Sequence, residues 1–164
     1  MMTAGTGEGA TRARPLGAEP EAQGARVRVW APGHAGVTLV TPEGLALPLE
    51  DEGEGYFSGL AGGLRAGSLY GFRLAGEDVV RPDPASRFQP EGPDGWSQVV
   101  DPATFAWTDG AWKGAALAGQ AIYEMHVGTL TPEGTWAAAT GELERLRDLG
   151  ITLVEVMPVG EWSG

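Results

Sequence analysis

Glu124 and His126 stand two residues apart in the run Ala121-Ile-Tyr-Glu-Met-His-Val-Gly128. Glu155 lies in a second apolar run, Ile151-Thr-Leu-Val-Glu-Val-Met-Pro158. On an extended chain, residues i and i+2 point to the same side, so Glu124 and His126 make a carboxylate–imidazole pair. Such a pair can act as acid and base, or supply two metal ligands. A metal would need further partners. The one other histidine is His34, in a turn, so no metal site is expected. Hydrolysis of a glycosidic bond takes two carboxyls that face each other across the bond. Glu124 and Glu155 are the candidates at strand positions, but nothing in the sequence sets them across a sugar. The plainer reading of all three side chains is a hydrogen-bonded polar set within a sheet.

The elements that carry these residues read as strand, helix, strand. Between the two apolar runs, residues 135–150 place Trp136, Ala139, Leu143 and Leu146 at three- and four-residue spacing. Glu142, Glu144, Arg145, Arg147 and Asp148 fall on the other side. Gly141 interrupts the middle of this helix, and Gly150 sits where a C-cap glycine belongs. Two parallel strands joined by a helix form a βαβ unit. Glu161 and Trp162 follow the second strand at the end where α/β barrels build their sites, so an indole there could stack on a sugar. The plainer alternative is a loop tryptophan packed on its surroundings.

Upstream the period changes. Arg26-Val-Arg-Val-Trp30 alternates strictly, and further short β runs are expected at 36–41, 45–49, 55–60 and 69–75, each bounded by turn residues. Spacings near ten residues predict a β-sandwich. Val27 and Val29 face one way and Arg28 and Trp30 the other. An aromatic beside an arginine suits a sugar ring, although docking on an adjacent domain is the favoured reading. The weak substrate-binding candidates are therefore Trp162, Glu161 and Trp30. Residues 82–120, with prolines at 82, 84, 90, 93 and 102, predict an irregular connector that Trp96, Trp107 and Trp112 pack down. Residues 1–25 hold almost no large apolar side chains and are expected to form a disordered tail.

Composition narrows the function classes. The chain has 164 residues and a formal net charge of -11, which repels phosphate backbones and anionic lipid and leaves a neutral substrate compatible. Neither nucleic acid nor membrane is an expected partner. With no cysteine, thiolate chemistry and disulfides are excluded. No apolar run reaches transmembrane length, and the N-terminus lacks a secretory signal core, so a cytoplasmic location is expected. No cofactor is expected: the glycine-rich stretch 5–9 lacks the strand, helix and lysine of a phosphate loop.

Several runs together carry a family resemblance: Tyr123-Glu-Met-His-Val-Gly-Thr-Leu-Thr-Pro-Glu-Gly-Thr-Trp136, Gly150-Ile-Thr-Leu-Val-Glu-Val-Met-Pro-Val159, Arg28-Val-Trp-Ala-Pro32 and Pro82-Asp-Pro-Ala-Ser-Arg-Phe-Gln-Pro90. The combination, across about residues 26–164, resembles the α-amylase superfamily of glycoside hydrolases. Within it, the chain is most similar to the trehalohydrolase branch. The resemblance implies an immunoglobulin-like sandwich over 26–82, a connector over 83–120 and the opening βαβ unit of an incomplete (β/α)8 barrel over 121–164. It implies hydrolysis of maltooligosyltrehalose, or action on an α-glucan, by a retaining two-carboxylate mechanism. The nucleophile Asp, acid Glu and stabilising Asp would then lie beyond Gly164, so no catalytic residue is expected here and the chain itself should be inactive. Two alternatives stand beside this: the N-terminal part of a glycogen branching or debranching enzyme, or a stand-alone carbohydrate-binding module. Gly128-Thr-Leu-Thr-Pro-Glu-Gly134 disfavours the branching enzymes, which usually continue with Gly-Ser-Trp at that point.

Overall fold

A computed structural model describes residues 15–157, 159 and 160. It separates into one unit up to Phe105 and another from Ala106. The first unit is built on two antiparallel sheets. One has the order β1 (Gly17–Glu21), β2 (Gly24–Trp30), β6 (Tyr56–Gly62) and β5 (Glu50–Gly53). The other has the order β4 (Ala46–Pro48), β3 (Val37–Val40), β7 (Leu69–Leu74) and β8 (Val80–Arg81), with β9 (Ser97–Gln98) also pairing with β7.

Alternation along the strands explains the core. Ala25, Val27 and Val29 of β2 are buried with Phe57 and Ala61 of β6, against Val37, Leu39, Tyr70 and Phe72 from the second sheet. Burying large aliphatic and aromatic side chains stabilises by about 1.5–3 kcal/mol each, so this double layer accounts for why the unit holds together. Arg28 and Trp30 take the opposite face, as the alternation requires.

Two expectations are corrected here. Residues 17–21 lie inside the expected tail, yet they form β1 and pair with β2 over five residues. The strand gave no hydrophobic signal because it is held by backbone hydrogen bonds and the small Ala18, which is buried. Arg87 adds a side-chain donor to the Ala18 carbonyl at 2.7 Å and pairs with Glu19. The expected limit of the sandwich at residue 82 also moves. Asp83, Ser97 and Val99 are buried in the first unit, and the Gly67 N–H donates to the Val99 carbonyl at 2.9 Å. The prolines of 82–93 turn the chain sharply without releasing it from the sheet. Trp96 is half-buried, whereas Trp107 and Trp112, expected to pack, are about 70% exposed.

In the second unit β10 (Ile122–His126) pairs in parallel with β11 (Leu153–Met157). The expected first strand ended at Gly128, but a one-turn helix, α1 (Val127–Leu130), begins earlier. The crossover helix α2 spans Trp136–Asp148, and Thr135 caps it by accepting from the Ala138 N–H at 3.3 Å. Gly150, at φ 91°, ends it, and the Ile151 N–H donates to the Leu146 carbonyl at 3.1 Å. Only part of the predicted apolar stripe is covered. Ala139 and Leu146 are buried, whereas Trp136 and Leu143 are exposed, because two strands are too narrow to cover a whole helix face. Among the described residues no helix is long and apolar enough to cross a membrane.

An alanine Cβ at Gly141 would meet nothing within 4 Å. Gly141→Ala is therefore expected to stabilise the helix by about 0.5–1 kcal/mol, the ordinary penalty of glycine in a helix interior. Thermal melting of the two proteins checks the sign.

Candidate functional site

The strand register settles where the first candidates sit. Glu124 pairs directly with Glu155, Ile122 with Leu153 and His126 with Met157. These six share one face of the two-stranded sheet, since Met125, Val154 and Val156 pack on the other face against Ala139. The sequence thus brought together the right three polar groups, but side by side rather than across a gap. At one register position the two carboxylates lie together on one face of the sheet, not on opposite sides of an enclosed ring as acid and nucleophile would. Among the described residues no group of three or more His, Asp or Glu is arranged to hold a metal ion.

Like charges directly opposite one another weaken a strand pair. Glu155→Gln is therefore expected to strengthen the β10–β11 pairing by about 0.2–1 kcal/mol. Hydrogen exchange at the β10 and β11 amides reads this out. Faster exchange in the variant would show that the two carboxylates are held by attraction to other groups.

Glu161 and Trp162 lie outside the described residues. Trp30 lies within them, at the last position of β2, and is 52% exposed. Its indole N–H donates to the Glu54 carbonyl at 3.2 Å. Glu54 has φ 53° and lies between Gly53 and Gly55, which are also at positive φ, in the β5–β6 turn. The Trp30 ring lies 6.5 Å from that of Tyr56, its cross-strand partner, tilted by 44°. The Arg28 guanidinium sits 4.1 Å over the Tyr56 ring and donates to Glu52 at 2.8 Å. Beside Trp30 opens a groove of about 360 Å³, lined by Pro32, Phe72, Leu74, His34 and Arg81 among others. Tyr56, Glu52 and Arg81 escaped the sequence reading, which placed His34 in a turn and gave it no role. Tyr56 meets Trp30 only through the long-range pairing of β2 with β6, which no local spacing encodes.

A buried polar cluster was also missed. Asp83 is 2% exposed, and its carboxylate accepts from the Tyr70 hydroxyl at 2.6 Å and from the Ala85 N–H at 2.8 Å. Its own backbone N–H donates to Ser97 Oγ at 2.9 Å. Burial pushes the Asp83 carboxyl above its ordinary range, opposed by the Tyr70 and Ala85 donors and by Arg87. Burial, then the Asp83 charge, drives the Tyr70 phenol far upward, so it stays a donor. This cluster is closed around itself and reads as a structural clasp.

No family model matches the chain. It is 38% identical over 157 residues to the malto-oligosyltrehalose trehalohydrolase of Rhizobium sp. strain M-11, covering 92% of this chain and 26% of that protein. It is 42% identical over 151 residues to the enzyme of the same name from Deinococcus radiodurans, covering 91% and 24%. A 1,4-alpha-glucan branching enzyme of Streptomyces avermitilis is 32% identical over 155 residues, covering 84% and 26%. The chain thus spans about a quarter of the length of the curated relatives it matches. Among solved structures, a protein of Salmonella typhimurium assigned as an alpha amylase superposes with a TM-score of 0.82 at 41% identity, covering 91% of this chain and 25% of that one. A pullulanase of Paenibacillus barengoltzii complexed with maltotetraose gives 0.73 at 22% identity, covering 92% and 28%, a likeness of fold alone.

Proposed function

We propose, for a chain that belongs with the malto-oligosyltrehalose trehalohydrolases, that it is the N-terminal part of an enzyme releasing trehalose from maltooligosyltrehalose by α-1,4 hydrolysis. The observation that carries this reading is the sustained identity with those enzymes along about nine tenths of the chain. The parallel β10–α2–β11 unit supports it, because repeated units of this kind close into (β/α)8 barrels with their sites at the strand C-terminal ends. In this proposal β10 and β11 are the first two barrel strands, and the sandwich is an immunoglobulin-like domain preceding them. The cleaving carboxylates belong to further strands. Glu124 and Glu155 stay within the sheet as polar structure. An α-glucan or maltooligosyltrehalose partner and a cytoplasmic location complete the proposal.

A branching enzyme is the second reading, and the lower identity of 32% ranks it behind. The test is to incubate maltooligosyltrehalose with the purified chain and, separately, with the longer protein that contains it, and to measure free trehalose. Release is expected from the longer protein and none from the chain. New α-1,6 branches in place of trehalose would transfer the assignment to the branching enzymes. Release by the chain itself, lost on Glu124→Gln or Glu155→Gln, would move the chemistry to these two carboxylates.

A further inference from the structure

We propose that the Asp109–Gly110 bond of this chain is a site of spontaneous main-chain modification, at which Asp109 closes to a succinimide and reopens as isoaspartate. The chain has no asparagine, so the faster route to this ring, through a side-chain amide, is closed to it. Its aspartates stand before glutamate, valine, leucine, proline or glycine. A proline has no N–H to give up for the new bond, and any side chain on the following residue crowds the attacking nitrogen. That leaves two dipeptides of identical composition, Asp94–Gly95 and Asp109–Gly110. The fold treats them differently.

The ring forms when the backbone nitrogen of the glycine bonds to Cγ of the aspartate. The nitrogen loses its proton, the protonated carboxyl loses a hydroxyl, and one water leaves. Water then adds back at either ring carbonyl. Addition at Cγ restores aspartate. Addition at the main-chain carbon gives isoaspartate, unchanged in mass, with the chain now running through Cγ and one carbon longer. Water is the only other reactant, so the fold acts through the freedom of the glycine nitrogen and of the backbone that must bend toward Cγ.

At Asp94 both are restrained. The Gly95 N–H donates to the Gly92 carbonyl at 3.0 Å, and the Gln89 side-chain amide pins the same turn by donating to the Pro93 carbonyl at 2.6 Å. An ideal Cβ on Gly95 would stand 2.9 Å from Glu91 Cβ and 3.2 Å from the Gly92 carbonyl oxygen, so the backbone has little room to move. At Asp109 neither restraint holds. Both residues of the dipeptide are exposed, and an ideal Cβ on Gly110 would meet nothing within 4 Å. Between residues 105 and 121, all of them described, no strand or helix forms. The Trp112 N–H closes a turn onto the Asp109 carbonyl at 2.8 Å, a bond that leaves the Gly110 nitrogen uncommitted. Exposed segments of this kind open locally at little cost in free energy. Modification also undoes the turn, because the Asp109 carbonyl is carried off the main chain into a carboxylate.

The test is to hold the purified chain in mildly acidic buffer for several weeks, digest it with trypsin and locate isoaspartate by electron-transfer fragmentation. Both dipeptides fall on one tryptic peptide, residues 88–113, so they are compared within one molecule. Isoaspartate is expected at Asp109 about fivefold faster than at Asp94 or more, the margin that one backbone hydrogen bond gives. Gly110→Ala places its methyl in open space, so it should fold as the native chain does and slow the reaction at Asp109 several-fold while leaving Asp94 as it was. In guanidinium chloride, where both turns are lost, the two rates should converge. Accumulation at Asp94 equal to or faster than at Asp109 in the folded chain overturns the proposal, as does an unaltered rate at Asp109 in Gly110→Ala. A margin that persists in denaturant overturns it too, by placing the difference in the flanking residues and not in the fold.

Discussion

Asp83→Ala is expected to lower the stability of the sandwich by about 2–4 kcal/mol. The carboxylate is the acceptor for both the Tyr70 hydroxyl and the Ala85 N–H, and its residue is almost wholly buried. Truncation leaves a buried phenol and a part-buried amide without their acceptor and a void where the carboxyl was, each a recognised source of loss. Asp83→Asn tests the charge separately. The folded-state carboxyl is raised above its ordinary 3.8, chiefly by desolvation, so the folded protein takes up this proton at a higher pH than the unfolded chain. Protonation of Asp83 thus favours folding. That contribution is fully present below 3.8 and lost as pH rises through the raised folded value. The native protein should gain stability relative to Asp83→Asn on going from pH 7 into that window. Urea unfolding of the pair at both ends of the window decides it. A constant difference would mean that the carboxyl is not raised in the folded state.

Gly24→Ala is expected to cost about 3 kcal/mol, enough to deplete the folded protein. An ideal Cβ there would stand 2.2 Å from the Ala61 carbonyl oxygen and 3.0 Å from the Gly62 Cα. Both are backbone atoms of β6, the strand with which β2 shares its longest ladder. No side chain can swing away, so relief requires opening the end of that ladder. Gly63→Ala is the control. It sits at φ 86° with nothing within 4 Å of its Cβ, so it carries only the left-handed backbone penalty of about 1–2 kcal/mol. Folded yield and urea midpoints should rank native, Gly63→Ala and Gly24→Ala in that order. Equal losses at the two glycines would show that the strand contact yields easily.

Periodicity carried the reading wherever a side chain, rather than the backbone, does the holding. The two faces of β2 and the strand–helix–strand of the second unit were legible for that reason. So was the shared face of Glu124 and His126, since period-two spacing is enough to place it. β1 was illegible because its ladder to β2 is made by the main chain of Gly17-Ala-Glu-Pro-Glu21, whose side chains say little about a sheet. The Asp83 clasp was hidden inside Pro82-Asp-Pro84, which has the composition of a linker. Only the fold brings Tyr70 and Ser97, thirteen and fourteen residues away, to that carboxyl and its backbone. At Trp30 the alternation gave the exposed face. The groove depends on Phe72 and Leu74 arriving from the other sheet, which no local spacing encodes.

The clamp of Arg87 on β1 also bears on how the sandwich comes into being as the chain is made. Arg87 reaches Ala18 and Glu19 across 69 and 68 residues, and Val99 closes the same core from still further along. A ribosome adds about 5–20 residues per second, so β1 and β2 wait for seconds before these late partners are synthesised. During that interval Ala25, Val27 and Val29 have only part of their eventual cover, and the β1 edge is open to pairing with a neighbouring nascent chain. β1 itself offers such a neighbour little to pair with productively. Its side chains are small or charged and it contains Pro20, a sequence that forms a strand only when the rest of the sandwich is there to receive it.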